Sequence, residues 1–251
     1  MIRALLTAAA LMLAAPQASD NAPYLTPDQY PDGMAILPPP PAPDSAAAAL
    51  DMKIFRDTRA LVGSPRWKIA TDDVTNNPLA RNACAMGMVL DAAHAPALAR
   101  LIAHAGTGPV VSTVKSAYQT PRPYLREDGP ICEAKTAHLA GNGDYPSGHT
   151  ANGWLEAQIL AEVMPDHASA ILARGRAYGE SRAICGSHSR SAVEAGYLAG
   201  ASVFAVLQTS ASFRKDLEAA RAEVARLRAT APRPDAQQCA AERAALAVRP
   251  W

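Results

Sequence analysis

Three short segments of this 251-residue chain hold residues that could do chemistry together. Lys115 precedes Arg122-Pro123, Pro146-Ser147-Gly148-His149 follows, and Ser181-Arg182 leads to His188. They supply three cations, a Ser-Gly turn and two imidazoles. That inventory can hold a phosphate dianion and move it. A transferring phosphoryl group spreads negative charge over its equatorial oxygens, so the protein's part is mostly positioning and charge stabilisation. Arg122 and Arg182 offer planar forks that can each bind two oxygens, and Lys115 adds a point charge. Ser147 and Gly148 stand just before a helical segment, where free backbone N–H groups bind anions. Gly148 allows close approach, and the Ser147 hydroxyl can donate a further hydrogen bond. His149 is then placed to protonate a leaving oxygen. A neutral His188 could attack phosphorus, so the two imidazoles need different pKa values.

Each piece alone is weak, and the order and spacing of the set carry the reading. His94, His104, His138 and His167 are expected at the surface or in loops, with His138 the nearest to the site.

The elements that must position these groups read mainly as helix. Apolar residues make up 49 % of the chain and aromatics only 5 %, so alanine and leucine dominate, and continuous alternation suited to strands is scarce. Predicted helices cover 46–59 with Ser45 as N-cap, 79–90, 97–104, 110–118 carrying Lys115, 149–163, and 168–181. A further helix, capped by Ser187 or Ser189, runs to about 208. Another covers 213–229, and a short one 238–247. Residues 119–145 read as a loop holding Arg122 and Cys132.

The expected organisation is a signal peptide at 1–18, a proline-rich arm at 19–50, a helical domain at 51–231 and a tail at 232–251. Arg3 and the twelve-residue apolar run from Ala4 to Ala15 suit an export signal, and twelve residues are too few for a membrane span. No later segment is apolar enough to span, which predicts a mature protein that is soluble outside the cytoplasm. The arm, with its Pro38–Pro41 run, is either a linker or a strap anchored by Tyr24, Ile36 and Leu37. A net charge of +1 gives no electrostatic case for nucleic acid. Four cysteines in an exported chain suggest two disulfides with three possible connectivities. Cys132 and Cys185 flank the motif region, which favours that pair and leaves Cys84 with Cys239.

Lys-x6-Arg-Pro, Pro-Ser-Gly-His and Ser-Arg-x5-His resemble the signature of the type 2 phosphatidic acid phosphatase and vanadium haloperoxidase superfamily. Leu37-Pro38-Pro39-Pro40-Pro41, Gly143 to Thr150 and Gly179 to Gly186 look closer still to the bacterial class A non-specific acid phosphatases. The resemblance runs from about Tyr24 to Ala229. It implies an all-α helical bundle and a periplasmic, homo-oligomeric enzyme with broad action on small phosphomonoesters. It further implies no cofactor and no metal, with vanadate binding as a phosphate mimic. Carried onto matching positions, it makes His188 the nucleophile and His149 the general acid. Lys115, Arg122, Ser147, Gly148 and Arg182 become phosphate ligands.

The chain departs from that pattern at one place. An Asp is expected four residues after the nucleophile, where it would share a helix face with the imidazole and fix its tautomer. Here the residue is Ala192. Its loss predicts turnover lowered by ~10²–10⁴ and a gain of at least about tenfold from Ala192→Asp. Glu194 lies about 120° round an ideal helix from His188; Ser191 lacks a charge, and only Glu180 is left as a carboxylate that could reach. Two alternatives follow: a phosphate binder without turnover, and vanadate-dependent halide oxidation.

Overall fold

Helix is the only regular structure among the described residues, 22–251 of a computed structural model. The leader expected at 1–18 lies outside them. Nine helices of eight residues or more follow in order: α1 (Ala46–Thr58), α2 (Pro65–Asp72), α3 (Pro96–Ala103), α4 (Gly108–Tyr118), α5 (Gly148–Val163), α6 (Ala168–Ile184), α7 (Arg190–Leu207), α8 (Ala211–Leu227) and α9 (Ala236–Leu246). Their starts carry the cap chemistry the sequence announces. Ser45, Ser64, Ser147, Ser189, Ser210 and Asp235 each accept a backbone N–H of the first turn.

The bundle is built around α5. Its buried residues, among them Ala151, Leu155, Ile159, Leu160 and Glu156, lie on all sides, as expected of a central helix. It packs chiefly against α6 and α7, while α8 packs on α3. Two glycines let the central helices close up. A Cβ on Gly153 would fall 2.1 Å from the Tyr178 ring, and one on Gly196 would fall 2.8 Å from the Ser147 carbonyl. Larger residues there would push α6 or α7 off the helix that carries His149.

The predicted helix over 79–90 is not continuous. It is two one-turn helices, Pro78–Arg81 and Ala83–Met86, and the second ends where Gly87 turns left-handed at φ 67°. The 119–145 loop likewise contains two short helices, Pro123–Arg126 and Ala137–Gly141.

The proline-rich arm is a strap. Tyr24 and Leu37 are buried and Ile36 is packed against the core. The Tyr24 hydroxyl donates to Asp216 (2.8 Å) and its ring meets Phe213 edge-on. The Tyr145 hydroxyl donates to the Pro38 carbonyl (2.5 Å), which ties the strap to the segment leading into α5. Disulfides join Cys132 to Cys185 and Cys84 to Cys239, the pairing favoured by the sequence. The second holds α9 against the body, with help from an ion pair of Glu242 with Arg174 (3.2 Å).

Candidate active site

An open cavity of about 1120 Å³ is lined by Lys115, Arg122, Gly148, His149, Arg182 and His188. Residues up to 73 positions apart in sequence therefore share one wall. His138 also lines it, as the sequence suggested, whereas His94 pairs with Asp91, His104 meets Tyr24 and His167 contacts the Ala85 carbonyl.

Lys115 projects from the last turn of α4, and its ammonium reaches the carbonyls of Gly143 and Asn142. Burial, with Arg122 nearby, lowers its pKa to about 8. Arg122 precedes Pro123 in extended backbone. Its guanidinium is held from both sides. Nη2 and Nε donate to the Asn142 carbonyl (2.7 and 3.2 Å), and Nη1 donates to the Ser187 carbonyl (2.7 Å).

Arg182 is completely buried in the last turn of α6. One nitrogen, Nη2, bonds the carboxylate of Glu133, which also accepts from the Ser187 hydroxyl. Its Nε and Nη1 have no partner among the described residues. Arg182 lines the cavity, and a guanidinium with unpaired donors there is suited to bind an anion. Burial alone would raise the Glu133 pKa, but Arg182 and Ser187 hold it below the usual range.

The start of α5 supplies more donors. The N–H groups of Gly148 and His149 take no protein partner among the described residues. A Cβ on Gly148 would make only ordinary contact with Val111 at 3.5 Å, so protein packing does not demand glycine here. The glycine leaves open the side that faces the cavity. Ser147 differs from the expectation. Its side chain is fully buried and is used as the helix cap, accepting from Thr150 N–H (3.3 Å) and the Thr150 hydroxyl (2.9 Å). It does not line the cavity, because the cap that makes the anion site turns the hydroxyl inward.

His149 sits at the second position of α5. Burial first, then Arg182, pushes its pKa down to about 4. His188 is held by a tight turn after α6. Gly186 is left-handed at φ 81°, and the N–H groups of Ser187 and His188 both return to the Arg182 carbonyl (3.2 Å each). A Cβ on Gly186 would also strike Arg59 at 2.5 Å. Burial and then Arg122 push the His188 pKa well below its ordinary value, so the ring is neutral.

His188 does have a carboxylate partner, and the sequence reading missed it. Asp144, two residues before Pro146, places Oδ1 3.0 Å from Nδ1 of the ring. The substitutes weighed from sequence are committed elsewhere. Glu180 pairs with Arg176 and Arg249, Glu194 with Arg190 (2.6 Å), and Ser191 gives its N–H to Asp51 (2.9 Å). Asp73 was also missed. It grips Ser181 (2.6 Å) and Arg174 (2.6 Å) behind the motif, so Ser181 braces α6 rather than lining the cavity.

No group of three or more His, Cys, Asp or Glu among the described residues is arranged to hold a metal ion. No described helix is long and apolar enough to cross a membrane.

Comparison with known proteins places this geometry. Residues 96–215 match the PAP2 superfamily. The chain is 42 % identical over 220 residues to an acid phosphatase of Zymomonas mobilis, covering 85 % of this chain and 83 % of that one. It is 34 % identical over 209 residues to a non-specific acid phosphatase of Salmonella typhimurium, covering 80 % and 84 %. A non-specific acid phosphatase of Providencia stuartii is 33 % identical over 215 residues, covering 82 % and 86 %.

Proposed function

The chain belongs to the PAP2 superfamily, among relatives of the bacterial acid phosphatases, and from that premise we propose that it hydrolyses phosphate monoesters through a phosphohistidine on His188. The observation that carries this is Arg182: a buried guanidinium with two unpaired N–H donors beside two imidazoles and the open N-terminus of α5.

In this reading the ester's phosphoryl oxygens take up the free donors of Arg182 and the N–H groups of Gly148 and His149. Lys115 and Arg122 turn from carbonyls to the same dianion. Arg122 thereby releases the His188 ring. The Nε2 lone pair forms a bond to phosphorus as the ester P–O bond breaks. The departing oxygen takes its electron pair and a proton from His149. Water then gives a proton to His149 and bonds phosphorus. The P–N bond breaks and its electrons return to Nε2, releasing inorganic phosphate. Burial and Arg182 keep His149 neutral above about pH 4, so it must gain its proton with the dianion, whose charge favours the imidazolium. This suits acid conditions.

The size of the cavity and its mixed lining, including Leu125, Leu139, Gln119 and Ser112, support tolerance of many leaving groups. Two disulfides and the apolar N-terminal run support a periplasmic location, where the resemblance also puts a homo-oligomer. Attenuation was suggested by Ala192; a carboxylate at His188 removes the reason for it. The binding-only alternative loses the same support, and no observation favours halide oxidation.

The test is hydrolysis of p-nitrophenyl phosphate from pH 4 to 8 with a chelator present. The expected result is turnover that vanadate inhibits. Phosphate binding without turnover would refute the reading.

A further inference from the structure

Resting on the phosphohistidine reading, we propose that Asp144 is the positioning residue of the nucleophile: its carboxylate holds the His188 ring in place and balances the positive charge that the ring gains on attack. The segment that carries the general acid thus also grips the nucleophile, since Asp144 and His149 are five residues apart.

The tautomer follows from the contacts on both sides of the ring. Nδ1 faces two acceptors, the Asp144 carbonyl at 2.7 Å and Oδ1 at 3.0 Å. The carbonyl can only accept, so Nδ1 bears the hydrogen; burial raises the Asp144 pKa to about 6, and above that pH the carboxylate is a second acceptor. Nε2 faces Arg122 Nη1 at 3.0 Å, and a guanidinium only donates. Nε2 therefore bears the lone pair, as a nucleophile must. The two sides give the same answer independently.

The carboxylate is itself fixed. Its side chain is 7 % exposed, and Oδ1 also accepts the N–H of Ser189 (3.0 Å), the cap of α7. The Asp144 N–H donates to Thr120 (2.8 Å), and the next residue is tied to the strap through Pro38. Behind Asp144 lies a cavity of about 20 Å³ lined by Pro40, Pro41, Asp51 and Ser189, room for about one water. The strap thus shields the ion pair that forms when the ring becomes cationic, and shielding strengthens it.

No other described side chain offers a carboxylate to Nδ1. Ala192 brings a methyl group, and its carbonyl accepts the N–H of Ser147 (2.9 Å). The carboxylate comes from the loop before α5, 44 positions earlier in the chain than His188.

Three variants test this. Asp144→Ala should lower kcat for p-nitrophenyl phosphate by ~10²–10⁴ while KM moves less than about threefold. Asp144→Asn keeps an oxygen for Ser189 N–H and the ring but loses the charge, so its kcat should fall between. Ala192→Asp should bring no gain, because Nδ1 is already occupied. Nitrogen-15 NMR of the full chain gives a readout independent of turnover. The Nδ1–H tautomer should survive in both variants, because the residue-144 carbonyl and Arg122 remain, while the Nδ1–H proton resonance should move upfield in both, because the carboxylate charge that deshields it is gone. A kcat for Asp144→Ala within threefold of wild type, an unchanged His188 Nδ1–H resonance in that variant, or a tenfold gain from Ala192→Asp would overturn the proposal. If the wild type hydrolyses no phosphoester, the function reading fails while the NMR series still decides the role of Asp144.

Discussion

The carboxylate of Glu133 lies on the guanidinium of Arg182, and the same oxygen accepts from the Ser187 hydroxyl. The contact sits beside a disulfide: Cys132 is joined to Cys185, and Cys132 N–H donates to the Cys185 carbonyl (3.2 Å). A carboxylate at this place neutralises part of the cradle and repels the dianion that must enter. Glu133→Gln keeps the shape and removes the charge. It should tighten binding of sulfate, a dianion at all relevant pH, by about 3- to 30-fold, in line with a charge effect at a partly buried site. Isothermal titration calorimetry measures it, and weaker binding would mean that Glu133 chiefly orients Arg182.

His149 should matter in proportion to how badly the leaving group needs a proton. Replacing it with Gln should cost ~10²–10⁴ in kcat on an alkyl phosphate such as glycerol phosphate. The cost on p-nitrophenyl phosphate should be at least tenfold smaller, because nitrophenolate leaves unprotonated. Steady-state rates on the two esters decide it, and equal losses would remove His149 from the role of acid.

The linkage between anion and proton has a definite sign. His149 titrates at about 4 when the site is empty, and an adjacent dianion raises that value. Between the two values the complex binds more protons than the free protein, so anion affinity rises as pH falls. Sulfate should bind more tightly at pH 4.5 than at pH 7, by at most about tenfold per pH unit for one proton. The slope should shrink in His149→Gln. An affinity independent of pH over that range would contradict the account.

The Cys84–Cys239 bridge spans 155 residues and is the covalent tie of α9 to the body. Replacing both cysteines with alanine should lower unfolding stability by ~2–5 kcal/mol. Urea titration followed by circular dichroism would show it, and no shift in midpoint would mean that α9 is held by packing and the Arg174–Glu242 pair alone.

Much of this was legible in the chain itself. Lys115, Arg122, His149, Arg182 and His188 line one cavity as their spacing suggested, because each sits on or beside a helix whose cap and apolar faces are written locally. Two kinds of feature were not. Asp144 escapes a sequence reading that weighs only near neighbours of His188, among them Glu180, Ser191 and Glu194, because the contact crosses 44 positions. Glu133 reaches Arg182 across 49 positions, beside the link of Cys132 to Cys185. Ser147 is expected at the ligand, and a serine before a helix also serves as its cap, which is the contact the structure shows. The helix expected over 79–90 is too long because Gly87 stands inside that range as a left-handed stop.

The most direct test of the central claim is to look for phosphate on His188. The protein is mixed with p-nitrophenyl phosphate, quenched in alkali to preserve a phosphoramidate, digested and analysed by mass spectrometry. The account predicts a phosphorylated peptide containing His188, absent in His188→Ala, together with a burst of nitrophenol matching the enzyme concentration if hydrolysis of the intermediate is slow. Sustained turnover in His188→Ala, or phosphate found only on another residue, would contradict it.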